Sequence, residues 1–173
     1  QLSTEGVTMT AAPDDVPFEP MLPSKANVYL DTSIATLGTT KLTRCMEASF
    51  DLSDKYGVIW PINSSNPSWA AHIETKPSAG ASITLGMGSQ SSALLTAMRG
   101  GTPQFLRYEI LGPTIAGATT YLFQADFAVV PLTPGEKSDT DGLTTRAHEL
   151  RIVHSAEWTK AMQFKLVNKV TAL

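Results

Sequence analysis

Between Thr145 and Trp158 the sequence reads TRAHELRIVHSAEW, which sets two histidines, two glutamates and two arginines close together. The whole chain has three histidines, so this cluster raises the question of a metal or acid–base site. Geometry argues against a shared ion. A zinc-protease helix carries His-Glu-x-x-His, with its imidazoles one turn apart. Here His148 and His154 are six positions apart, which on a helix points the rings about 120° away from each other. On a strand they share a face with Leu150 and Ile152 but stand about 20 Å apart. The chain has one cysteine, and His72 is the remaining histidine. No third ligand is apparent, and no metal ligand is assigned.

Nucleophilic catalysis fares no better. There is no G-x-S-x-G elbow. Cys45, in LTRCMEASF, lies in a strand-like pattern beside Arg44 and Met46, and reads as a small buried hydrophobe rather than an activated thiol. The order of residues in GTPQF, after the glycine pair at 100–101, does not make a phosphate loop. No catalytic and no cofactor-binding residue is assigned, no cofactor is implied, and the chain reads as a non-enzyme.

The elements around these residues are mostly strands. The 12 Gly and 11 Pro punctuate the chain often, and charged residues are only 17% of it, a balance that favours short strands and turns over a helical bundle. LTRCMEASFDLS (42–53) alternates, with Met46, Ala48, Phe50 and Leu52 opposite Glu47, Ser49, Asp51 and Ser53. DKYGVIWPINSSNPSW (54–69) reads as a long loop. AAHIETK (70–76) and ASITLGM (81–87) read as strands joined by a hairpin at PSAG. NVYLD (27–31), QFLRYEIL (104–111), TTYLFQADFAVVPL (119–132), HELRIVH (148–154) and AMQFKLVNKV (161–170) complete the strands, with TPGEKSDTDG as a polar loop. In the 119–132 strand, Tyr121, Phe123, Ala125, Phe127 and Val129 share one face; Leu122, Gln124, Asp126, Ala128 and Val130 take the other. SQSSALLTAMRGG (89–101) is the one helix, with serines to cap its start, a stripe of Leu94, Leu95 and Met98, and Gly100 and Gly101 to stop it.

The reading is mainly β: roughly seven or eight strands in two packed antiparallel sheets, a β-sandwich or barrel-like sandwich, with one flanking helix. Residues 1–26, with four prolines and no periodicity, read as an extended arm or linker, expected to order only against a neighbouring subunit. Residues 27–173 form the domain. The chain begins at Gln1 rather than Met, which leaves room for residues upstream. No apolar run approaches a membrane span, and the N-terminus lacks a signal-peptide pattern. A single cysteine fits synthesis in a reducing cytosol.

A net charge of −3, without a basic run, argues against ordinary nucleic-acid binding. The residues themselves leave two interaction readings open. One is a subunit of an assembly. The other is a receptor- or glycan-binding sandwich, prompted by Trp60, Trp69 and Trp158.

The ordered segments LGTTKLTRCMEASFDLSDKYGVIWPINSSNPSWAAHIETKP, LLTAMRGGTPQFLRYEILGPTI, YLFQADFAVV and SDTDGLTTRAHELRIVHSAEWTKAMQFKLVNKVTAL resemble the major tail (tail tube) proteins of long-tailed, non-contractile bacteriophages, especially those infecting actinobacteria. The resemblance runs from about Pro20 to Leu173. It departs from the family at TTRAHE, where an aromatic would precede the strand. It implies a two-sheet subunit with one helix, six of which close a ring by joining their inner sheets. Rings stack into a tube in the virion, assembled in the host cytoplasm. Tape measure and tail-end proteins would be partners, and DNA would pass through without specific binding. Within that frame, Tyr56, Ile59 and Trp60 in the 54–69 loop are expected to make inter-ring or inter-subunit contacts, because an exposed loop has no need of such side chains. Glu47, Asp51 and Glu74 are expected to face the lumen, with Ser49, His72 and Lys76 beside them, on the two strands of one extended hairpin. An acidic wall keeps DNA off it.

Overall fold

The computed structural model describes residues 22–53, 56–59, 71–74 and 78–169. Among them are nine strands and one α-helix: β1 (Ala26–Asp31), β2 (Cys45–Ser53), β3 (Tyr56–Ile59), β4 (Ala71–Glu74), β5 (Ser78–Gly86), α1 (Ser89–Gly100), β6 (Gln104–Ala116), β7 (Thr119–Thr140), β8 (Leu143–Ile152) and β9 (Met162–Val167). The pairing order β1-β6-β7-β8-β5-β2 is antiparallel throughout, and β9 adds to β7.

The long strand β7 makes two layers out of one hydrogen-bonded sheet. Its first half lies between β6 and β9; from Val129 onward it pairs with β8 instead. Register shifts around Pro131 and Pro134 interrupt the ladder where a proline cannot donate, and such shifts bend a strand. One layer is therefore β1, β6, the first half of β7 and β9. The other is the second half of β7, β8, β5 and β2. The core fills the space between them: Val28, Leu106, Ala125 and Phe127 from the first layer meet Ala81, Ile83, Leu85 and Leu150 from the second, with Leu94 of α1. Phe50 of β2 reaches across to Phe127 and Phe164, its ring centroid 5.2 and 6.1 Å from theirs. This is the expected barrel-like sandwich with one helix.

The expected alternation along β7 holds. Ala125, Phe127 and Val129 enter the core, whereas Ala128 joins Leu37 and Phe105 in a second apolar cluster on the opposite face. At the helix end, Gly101 adopts φ +62° and its N–H reaches Ala97 and Met98 carbonyls, the left-handed stop expected there.

Several expectations are corrected. PSAG is not a turn between strands 70–76 and 81–87. Its Ser78, Ala79 and Gly80 lie inside β5, which pairs with β2 and β8, while β4 pairs with β3. The 54–69 segment is not loop throughout, since it contains β3. The two ladders run in nearly the same register, Ser53↔Ser78 and then Tyr56↔Glu74, so β2–β3 and β4–β5 read as the two arms of one long hairpin. TPGEKSDTDG is mostly strand: β7 continues to Thr140 and turns at Asp141 and Gly142, with φ +54° and +79°. Two consecutive positive φ values are what a two-residue hairpin turn requires. The helix N-cap is Gly88, with no side-chain cap; the serines do not serve. A bulge between Cys45 and Glu47 turns Cys45, not Met46, toward the core. The arm reading for 1–26 lies largely outside the described residues, and β1 already begins at Ala26.

Candidate functional site

The second layer has an outward face built by register. Glu47, Thr84 and Ala147 stand in one row across β2, β5 and β8; Ser49, Ser82 and Glu149 in the next; Asp51, Gly80 and Arg151 in the third. Alternation forces this, because their strand neighbours Ala48, Ala81, Ile83 and Leu150 occupy the core side. Glu47, Ser49, Asp51, Glu149 and Arg151 are exposed. The face thus carries three carboxylates against one guanidinium. A shallow groove crosses it, lined among others by Asp51, Gly80, Leu132 and Arg151, where Gly80 adds no side chain. Of the sequence-derived candidates, Glu47 and Asp51 share this face. Glu74 stands apart on β4, opposite Tyr56. Glu149 belongs to the face but was not among the candidates. Its alternation with Leu150 places it outward, but period-2 patterning does not tell which strands are neighbours.

The β3–β4 ribbon is the second candidate surface. Ile59 pairs with Ala71, and Gly57 with Ile73. Val58, Ile59 and Ile73 are 50%, 42% and 54% exposed. Successive residues alternate faces, so Val58 and Ile59 put aliphatic surface on both sides of the ribbon. Tyr56 lies on β3; Trp60 lies outside the described residues.

Edges are the third feature. Among the described residues, β2 pairs only with β5, and β7 beyond Pro131 pairs only with β8. The four-strand layer therefore ends on both sides in unpaired backbone. The outer edge of β1, by contrast, is covered by the 40–42 segment through Leu30 N–H to Thr40 O and Leu42 N–H to Val28 O.

The histidines that opened the question are separated. His148 is buried on β8, its Nε2 3.0 Å from Ser91 Oγ on α1. Burial, and next the charge of Arg146, hold its pKa below the usual value. His154 lies beyond the end of β8 and is exposed. Cys45 is half-buried against the core, its thiol donating to Glu47 O at 3.3 Å, and burial raises its pKa. Among the described residues no three His, Cys, Asp or Glu side chains converge to hold a metal, and no helix is long and apolar enough to cross a membrane. Trp158 packs edge-on to Phe105 at 6.3 Å and is half-buried, so it offers no open platform for a sugar. Trp60 and Trp69 lie outside the described residues.

No family model matches the chain, and no curated protein does. Among solved structures it is similar to the SPP1 tail tube determined by solid-state NMR and cryo-EM, with a TM-score of 0.54 and 10% identity over 76% of this chain and 75% of that one. A chain of the anti-feeding prophage (AFP) baseplate is also similar, at a TM-score of 0.44 and 11% identity over 84% of this chain and 93% of that one, a likeness too slight to bear on the fold. The fold is that of a phage tail tube.

Proposed function

We propose that the chain is the structural subunit of a bacteriophage tail tube. The observation that carries this reading is the likeness to the SPP1 tail tube over three-quarters of both chains. The sequence resemblance alone supports the finer assignment to long-tailed, non-contractile phages of the actinobacteriophage type. In this reading the second layer faces inward, and rings, hexameric by the same resemblance, stack into the conduit through which DNA leaves the virion. Tape measure and tail-end proteins are the other partners. The role is structural, not catalytic.

The surfaces described above are compatible with such a ring. Unpaired backbone at both β2 and the second half of β7 lets the four-strand layer of one subunit continue into the next, and closure removes both edges. The face carrying Glu47, Asp51 and Glu149 gives a wall that does not hold phosphate. The β3–β4 ribbon, with Tyr56 and Ile59, and with Trp60 next in sequence, contacts a neighbouring subunit or ring, where its aliphatic surface is covered.

Electron microscopy of the concentrated, purified protein tests the reading. Rings or tubes are the expected result. A monomer at all concentrations that is retained on a polysaccharide column would overturn it in favour of a receptor- or glycan-binding sandwich.

A further inference from the structure

One buried polar pair has no part in that proposal. Ser91, in the first turn of α1, has no exposed surface, and His148 on β8 is 2% exposed. Oγ and Nε2 are 3.0 Å apart, so each satisfies a group that would otherwise be stranded inside the protein. α1 also rests on the sheet through apolar contact, led by Leu94 in the core, while Gln90 ties its first turn to the 41–43 segment by accepting from Thr43 N–H and donating to Lys41 O. The Ser91–His148 contact is a buried polar tie between the helix and β8, an inner strand of the second layer.

Among the described residues, the surroundings of His148 hold no countercharge. Across the β5–β8 ladder it faces Ile83, and across the β7–β8 ladder Pro134. On its own strand the nearest core-side charge is Arg146, of the same sign as an imidazolium, and Arg146 Nε is itself buried without a partner. Along β7, Glu136 and Lys137 are exposed, as is Arg99 in the last turn of α1. Glu149 points to the other face of β8. A proton on His148 would put a charge in a dry site beside a second cation, with no carboxylate among the described residues to meet it.

We propose that the Ser91–His148 pair is an acid-sensitive latch that holds α1 on the sheet when His148 is neutral and loosens it when His148 is protonated. The inference does not depend on tube formation. The sign follows from the depressed native pKa. Above the unfolded value of about 6.5 the imidazole is neutral in both states, and the contribution is complete. As pH falls through that value toward the lower native one, the unfolded chain takes up a proton that the folded chain resists, and stability declines.

The test uses the whole chain at pH 7.5 to 5.0. Thermal melting of the wild type is expected to fall by several degrees over this range, with α1 amides losing hydrogen-exchange protection before those of β6. His148→Gln, whose amide reaches the Nε2 position without titrating, is expected to flatten the profile; His154→Gln is expected to leave it as in the wild type. An NMR titration of the wild type removes any dependence on variant folding: the His148 ring is expected to titrate below the usual histidine range. A His148 resonance titrating at or above that range, or a His148→Gln profile that falls like the wild type, would overturn the proposal.

Discussion

Arg107 and Asp126 face each other across the β6–β7 ladder, with Nε donating to Oδ1 at 2.7 Å and one Nη donating to Oδ2 at 3.0 Å. Gln124 adds a third donor to Oδ2 at 2.7 Å. The pair lies on the face of the first layer away from the main core, and the guanidinium also roofs the loop after β1: a Cβ on Gly38 would come within 2.7 Å of Arg107 Nη1. One charge pair thus joins two strands and sets the approach of the 37–40 loop. The pair supports the pKa of Arg107 chiefly through this hydrogen bond.

Removing one partner should therefore cost more than a surface ion pair does. Asp126 has 6% of its side chain exposed, and Arg107→Met would leave it with Gln124 alone. A loss of about 2–3 kcal/mol is expected in urea unfolding, from a buried charge deprived of its donors. Equal stability of Arg107→Met and wild type would mean that the desolvation cost cancels the attraction, and the pair contributes nothing net.

Asp31, at the end of β1, accepts from Gly38 N–H and Thr39 Oγ1, each at 3.0 Å, and from Thr40 N–H at 3.4 Å. Burial pushes its pKa up, but hydrogen bonding, from the Thr40 side chain first and then from Gly38 N–H, Thr39 Oγ1 and Thr40 N–H, outweighs burial and holds the carboxyl below its usual value. Its contribution is complete above the unfolded value of about 3.9 and disappears as pH falls through the lower folded one. Asp31→Asn is expected to lose about 1–2 kcal/mol at pH 7. The gap between variant and wild type should narrow as the pH drops below 4. A gap constant from pH 7 to pH 3 would show that the carboxylate charge is not the source.

Gly101 illustrates a position where sequence and structure agree for a steric reason. It takes φ +62° with no atom within 4 Å of a built Cβ, so the cost of a side chain is conformational alone. Gly101→Ala should destabilise by about 1 kcal/mol. No change in melting temperature would indicate that the helix end relaxes to another conformation.

How much of the fold could be read from sequence depends on whether the deciding interaction is local. The faces of β7 and the stop at Gly101 follow from alternation and from backbone sterics, both written in neighbouring residues. Pairing is not local. Nothing in AAHIETK says that its partner is YGVI rather than ASITLGM, and the small residues of PSAG look like a turn although Gly80 sits mid-strand between Asp51 and Arg151. The Asp141–Gly142 turn lies inside TPGEKSDTDG, whose polar residues read as one loop. They form a strand that pairs with only one neighbour, and an exposed edge has no need of apolar alternation. For the candidate surfaces, Glu47 and Asp51 were found from their strand alone. Glu149 was missed because it joins them only through the β2-β5-β8 register.

Assembly should depend on the β3–β4 ribbon. Val58, Ile59 and Ile73 are exposed in the isolated chain, and a two-stranded ribbon has little stability of its own. Replacing Ile59 and Trp60 together with Ser is expected to abolish rings or tubes in electron micrographs while the circular dichroism and melting of the monomer stay close to wild type. Tubes of normal length from this variant would remove the ribbon from the interface.

The outward face of the second layer makes the most demanding prediction, because it links register to transport. Glu47, Asp51 and Glu149 come from two strands that β5 separates, yet their side chains share one side of the sheet. All three are exposed, and changes at such positions usually alter stability by less than about 0.5 kcal/mol. The triple variant Glu47→Lys, Asp51→Lys, Glu149→Lys should therefore fold. If the face lines the conduit, its lysines meet phosphate at close range, and each contact made releases counterions. Particles carrying the variant are expected to assemble less readily and to eject DNA slowly in dilute buffer. The rate should recover as salt is raised and the Debye length falls from about 10 Å at 0.1 M toward 3 Å at 1 M. A variant confined to the outside of the tube would leave ejection unaffected at every salt concentration. Ejection at the wild-type rate in dilute buffer would thus turn this face outward and move the lumenal role to the other layer.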